Sequence, residues 1–183
     1  MEPPMTSQAP ARSRASSSKQ DVRVVLSMRA APVDAYRALT SARELCVWLA
    51  DRAETDARSM GRMRIVWPKA DGVEPCEASG VFVDLERACK VAWLWDDRTR
   101  PSGVPPLVSV FIEERPRRMG STLTLVHAGF SGAASKRALL DEFRARWEDF
   151  LAKLRLYLDA GKTCKNGRLT LSELQMLLKR GRA

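Results

Sequence analysis

Between residues 140 and 158 the chain places Leu140, Phe143, Trp147, Phe150, Leu151, Leu154 and Leu158 mostly three or four positions apart. Such a stripe covers one side of an α-helix and leaves the other side polar. It predicts a helix of about 25 residues. Gly161 is placed to end it, since glycine adopts the left-handed conformation of a helix C-terminus without a steric penalty. A helix with so wide an aromatic face must lie on a broad apolar surface.

The preceding part of the chain supplies that surface as strands. Val22, Val24, Leu26 and Met28 alternate with Arg23, Ser27 and Arg29, the period of a strand buried on one face. Pro32 then opens a short helix through Val33, Tyr36 and Leu39. Ser41 with Glu44 makes a capping box for a second helix, through Leu45, Trp48 and Leu49. After Gly61 come five sets at spacing two: Met63, Ile65, Trp67; Val81, Val83, Leu85; Val91, Trp93, Trp95; Val108, Val110, Ile112; and Leu123, Leu125, His127. Asp71-Gly72 and the segment from Arg115 to Gly120 read as turns, and 96–106 as a polar loop containing proline. Short connections favour antiparallel neighbours, so the expected class is α+β.

The formal charge of +9 raises nucleic acid as a partner, but its distribution argues against one. Residues 1–20 hold three basic and one acidic side chain, residues 21–160 hold 22 and 20, and residues 161–183 hold six and one. The chain divides accordingly into a disordered N-terminal tail (1–20), a nearly neutral domain (21–160) and a basic C-terminal extension (161–183). In the extension, Lys162 and Cys164 stand where a calcium loop needs oxygen ligands. The expectation there is an Asn166-Gly167 turn, then a Thr170/Glu173 capping box starting a short helix through Leu174, Leu177 and Leu178.

Cys46, Cys76, Cys89 and Cys164 form no C-x-x-C pair and share the chain with a single histidine, so neither metal nor cofactor is expected. No apolar run approaches the ~20 residues of a membrane span. Reduced thiols and the lack of a signal-like segment suit a cytoplasmic protein.

Several motifs carry a family resemblance. The stretch Ala31-Pro32-Val33-Asp34-Ala35-Tyr36-Arg37-Ala38-Leu39-Thr40 resembles the opening of the START/SRPBCC superfamily, in the branch related to the activator of the heat-shock-protein-ninety ATPase. Trp48, Ser79-Gly80-Val81 through Trp93-Leu94-Trp95, the segment from Gly120 to Phe130, and Trp147 continue the likeness across Val22 to Asp159. Leu49, Met60 and Arg146 depart from the family pattern, where an aromatic or a glycine is usual. The resemblance implies a helix-grip (START-like) fold: a curved antiparallel sheet with two short helices and one long C-terminal helix packed across it.

It further implies a cavity between sheet and long helix for a hydrophobic small molecule. The inward candidates are Trp67, Trp93, Trp95, His127, Phe143, Trp147 and Phe150. Aromatic walls with one polar group suit a bulky apolar ligand carrying one hydrogen-bonding handle. His127 alone on that face can act as an acid or base, but no nucleophile or carboxylate accompanies it in sequence, so the reading is a binding protein with no catalytic residue. The alternative is a protein-interaction module, chaperone-activator-like or regulatory, using the sheet surface or the basic C-terminal segment.

Overall fold

The computed structural model describes residues 19–67, 76–117, 119–131 and 136–180. Its elements run β1 (Lys19–Met28), α1 (Pro32–Thr40), α2 (Ala42–Trp48), β2 (Arg52–Thr55), β3 (Arg62–Val66), β4 (Glu77–Glu86), β5 (Lys90–Trp95), β6 (Leu107–Glu114), β7 (Ser121–Ser131), α3 (Arg137–Ala160) and α4 (Leu171–Arg180). The strands form one curved sheet of seven in the order β1-β7-β6-β5-β4-β3-β2, every neighbouring pair antiparallel. This is the α+β helix-grip architecture the sequence predicts.

The helix stripe determines where the core sits. Leu140, Phe143, Trp147, Leu151 and Leu154 of α3 are buried against Val22, Val24, Val108, Val110, Leu123 and Leu125 of the sheet. Each fully buried side chain of this size contributes roughly 1.5–3 kcal/mol. Gly161 caps the helix in the left-handed conformation (φ 62°), its N–H donating to the Tyr157 carbonyl at 2.8 Å.

Four local expectations differ from the structure. Ser41 accepts from the Glu44 N–H at 3.5 Å, but the Glu44 carboxylate does not return the bond. It accepts instead from the Tyr157 hydroxyl at 2.6 Å and pairs with Arg37, because α3 brings a better donor than the local backbone. In β4 the core residue is Phe82, wholly buried opposite Trp93, and not Val81 or Val83. A register shift between Phe82 and Asp84 then returns Leu85 to the core side, so the apparent alternation of three apolar residues spans both faces. Strand β2 was not legible as a strand; its Arg52-Ala53-Glu54-Thr55 carries only one inward apolar side chain, Ala53. Finally, β1 begins at Lys19, which pairs with Ser131, and so takes in the last two residues of the tail that composition assigns to 1–20. The Asp71-Gly72 turn and the tail through residue 18 lie outside the described residues.

The C-terminal helix forms as its capping box predicts. Glu173 accepts from the Thr170 N–H (2.9 Å) and hydroxyl (2.8 Å), while its own N–H donates to the Thr170 hydroxyl oxygen (3.3 Å). These bonds hold the Glu173 carboxyl below its ordinary pKa. The apolar side of α4 docks on α3: Leu174 and Leu169 pack with Ala152 and Leu156 in a second small core.

Gly80 sits at a close approach of two strands, where a Cβ would meet the Leu94 carbonyl oxygen at 2.2 Å. Both atoms are constrained by backbone, so Gly80→Ala is expected to cost about 3 kcal/mol and to lower the melting temperature by roughly 6–12 °C. Thermal denaturation followed by circular dichroism checks this; an unchanged melting temperature rejects the close approach.

Candidate ligand site

The inner ends of β3, β5 and β7 and the first half of α3 place a continuous line of aromatic rings between sheet and helix. Trp67 and Trp95 are half-buried, with centroids 6.4 Å apart. Trp95 lies 5.7 Å from Trp93, and Trp93 lies 6.2 Å from Trp147. Trp147 continues to Phe150 at 5.5 Å and to His127 at 5.7 Å. His127 lies 5.4 Å from Phe143. Most of these pairs are edge-to-face, the geometry that sets a positive ring edge on a negative face. The seven expected residues therefore form one cluster. Trp93, His127, Phe143 and Trp147 lie within it, and Trp67, Trp95 and Phe150 are partly open.

Two further rings belong to the cluster. Trp48 of α2 meets Phe150 at 5.1 Å, and Phe130 lies 4.7 Å from His127. Phe130 breaks the alternation of Leu123, Leu125 and His127. Gly129 takes φ 94° there, its N–H donating to the Asp21 carboxylate (2.8 Å), and the shift against β1 turns Phe130 inward. Gly129 was the signal that an extra residue enters this strand.

His127 is fully buried and both ring nitrogens are engaged. Nδ1 accepts from the Trp147 indole N–H at 3.0 Å, which leaves the proton on Nε2 to donate to the Pro105 carbonyl at 2.7 Å. Burial is the main cause that lowers its pKa, helped by the positive charge of Arg100; the Pro105 carbonyl and Asp21 oppose it. The imidazole is thus a neutral strut between α3, β7 and the β5–β6 connection.

Two other buried polar atoms have no partner among the described residues. The Trp93 indole N–H and the Arg100 Nε–H are buried with no hydrogen-bond acceptor. Trp93 belongs to β5 and Arg100 to the loop that follows it, where the Arg100 charge acts on His127. Among the described residues no group of three or more His, Cys, Asp or Glu side chains is arranged to hold a metal ion, and no helix is long and apolar enough to cross a membrane.

The family model for activator of Hsp90 ATPase homolog 1-like proteins matches residues 29–159, more than half of the chain. The chain belongs to this family. Solved structures share the fold of this Hsp90-activator-like domain at low identity. The Aha1 dimer from Colwellia psychrerythraea is 19% identical, with 78% of this chain and 98% of that chain covered at a TM-score of 0.61. Protein MLL2253 from Mesorhizobium loti is also 19% identical, with 78% and 99% covered at 0.62. CalU16 from Micromonospora echinospora is 19% identical, with 90% and 85% covered at 0.58. Among curated proteins none matches the sequence. The Hsp90-activator-like fold is that of a ligand-binding or interaction module. Helix α4 follows the matched segment.

The His127 strut has a pH consequence. Its pKa is lowered on folding, so the unfolded chain takes up the extra proton first as pH falls below about 6.5. Stability from this group is fully present above that pH and is lost as pH falls towards the folded value. Melting temperatures between about pH 8 and pH 5 should therefore fall below pH 6.5 in the wild type, and less steeply in His127→Gln, which keeps a donor and an acceptor but no titration. Parallel slopes would show that His127 is not the titrating group.

Proposed function

We infer that the protein binds a hydrophobic small molecule bearing a hydrogen-bond acceptor, between sheet and α3 at the end marked by Trp67, Trp93 and Trp95. The observation that carries this reading is the unpartnered Trp93 N–H. A buried donor without an acceptor forfeits about 1–3 kcal/mol, so a carbonyl, carboxylate or ether oxygen delivered by a ligand has a ready partner there. Arg100 Nε adds a second such donor, and the half-buried Trp67 and Trp95 supply apolar faces. Phe143, Trp147 and Phe150 form the inner wall. His127 acts through the wall, by fixing Trp147, and performs no chemistry. The reading is that of a carrier or sensor in the cytoplasm.

A role for the basic extension in holding a protein partner has less support, because the apolar side of α4 is already buried on α3.

Thermal-shift and tryptophan-fluorescence titrations with a long-chain fatty acid and with an anilinonaphthalene sulfonate test the reading. A bound ligand at 100 times its Kd stabilises the fold by about 2.7 kcal/mol. Trp93→Phe removes the orphan donor. It should leave the ligand-free melting temperature equal or higher and weaken the acceptor-bearing ligand about 5- to 10-fold. Absence of any ligand-induced shift across apolar acceptor-bearing compounds overturns the reading; an affinity unchanged in Trp93→Phe removes Trp93 as the handle.

A further inference from the structure

The C-terminal ends of α3 and α4 and the turn after β1 enclose a small notch. The described residues that line it are Arg29, Arg155, Asp159, Gln175, Leu178 and Lys179. Arg155 and Asp159 stand one turn apart on α3, and Gln175 and Lys179 one turn apart on α4. Leu169 and Leu174, buried with Ala152 and Leu156, hold α4 where it brings Lys179 to the notch. Asp159 lies about 18 Å along the helix axis from Trp147, so the notch is separate from the aromatic cluster.

Three cations and one carboxylate meet there, and the carboxylate is already in use. Asp159 accepts from the backbone N–H groups of Arg29 (2.8 Å) and Ala30 (3.3 Å) and from Arg155 Nε (3.2 Å). Arg29 is held in turn, its Nη2 donating to the Asp159 carbonyl at 2.5 Å. Both Nη groups of Arg155 and the Lys179 ammonium have no acceptor among the described residues. The formal balance of the notch is +2. The C-terminal ends of α3 and α4 each bring roughly half a negative charge, which leaves about +1 uncompensated. The larger groove along β2–β5 differs: Arg62, Arg64 and Arg98 face Glu54, Asp56 and Asp96, and its charges balance internally.

We propose that the notch binds the phosphoryl group of a phosphate monoester, either soluble or carried as a lipid headgroup. Such a group has a charge of roughly −1.5 to −2 at neutral pH and three terminal acceptor oxygens. Cations reach the notch from three elements, which suits three oxygens better than the two of a diester. The free fork of Arg155 offers paired donors, while Lys179 acts as a point charge. The cavity of about 170 Å³ has the volume of about five or six waters, the size of one phosphoryl group with its four oxygens. A triphosphate exceeds both that space and that charge. Asp159 already fixes Arg29 and Arg155, so few side chains lose freedom when the anion binds.

Titration of the full chain with inorganic phosphate and with glycerol phosphate, followed by phosphorus NMR and calorimetry, reads the soluble arm. Co-sedimentation with phosphatidylcholine vesicles, with and without phosphatidic acid, reads the lipid arm. The expected result is saturable binding in at least one arm. Lys179→Glu should weaken it at least about 10-fold, and Lys179→Gln, which removes only the charge, about 5-fold. Lys179 is exposed and unpaired among the described residues, so both variants should keep the circular dichroism spectrum of the wild type. Arg62→Glu makes the same change of net charge outside the notch and should leave the affinity within about 2-fold. Saturation by the soluble anions identifies a soluble ester as the ligand, and binding to phosphatidic acid vesicles alone identifies a headgroup. No binding beyond that of phosphatidylcholine vesicles in either arm overturns the proposal. So does an affinity that Lys179→Glu weakens no more than Arg62→Glu, the mark of a diffuse charge effect.

Discussion

A line of hydrogen bonds from the Trp147 indole through the His127 imidazole to the Pro105 carbonyl ties α3, β7 and the β5–β6 connection together inside the core. Deep burial would make an unpaired imidazole or indole N–H costly, so each group's orientation is fixed by the next. The rings around this line inherit their places from it. Trp93 rests against Trp147, Phe143 and Phe130 against His127, and Phe150 against Trp147 and Trp48. With the imidazole committed to both neighbours, the Trp93 N–H remains as the buried donor that the core itself does not satisfy.

The opposite end of α3 is held by charge instead of rings. The Asp159 carboxylate, only 1% exposed, accepts from the backbone N–H groups of Arg29 (2.8 Å) and Ala30 (3.3 Å) and pairs with Arg155 at 3.2 Å. It thereby pins the helix to the β1–α1 turn. Two residues earlier, Tyr157 donates to Glu44 of α2, a bond that raises the tyrosine's own pKa. Lys165 beyond the helix donates to the carbonyls of Cys46 and Ala50, satisfying the end of α2 (3.1 Å each). The long helix is thus clamped by polar bonds at its C-terminal end and cushioned by aromatic rings towards its N-terminal end. Bonds of the first kind demand one geometry, while ring packing tolerates small displacements, so accommodation of a ligand belongs at the aromatic end.

Much of this was legible from spacing. The α3 stripe, the Gly161 stop, the Thr170/Glu173 box and the inward sets of β1, β3, β6 and β7 follow from periods of 3.6 and 2, because burial on one side imposes those periods. The illegible parts share a cause. In β4, apolar residues occupy successive positions, so alternation cannot choose a face, and the choice of Phe82 falls to the partner strand, which offers Trp93. In β7, Gly129 shifts the pattern by one residue and Phe130 changes sides. Glu44 has a good local use as a capping residue and is drawn away by Tyr157, which is 113 residues distant.

The seven candidate aromatic and histidine positions were nameable because they lie on inward faces of recognisable elements. Sequence by itself determined which residues go inside, and the family resemblance supplied the grip in which they meet. Tertiary structure alone decided which polar atoms find partners. The indole N–H of Trp147 meets His127 and that of Trp48 meets the Ala38 carbonyl at 3.1 Å, while that of Trp93 meets none among the described residues. Three tryptophans with the same chemistry acquire different roles because hydrogen bonding depends on distance and direction between elements far apart in the chain, which residue spacing does not encode.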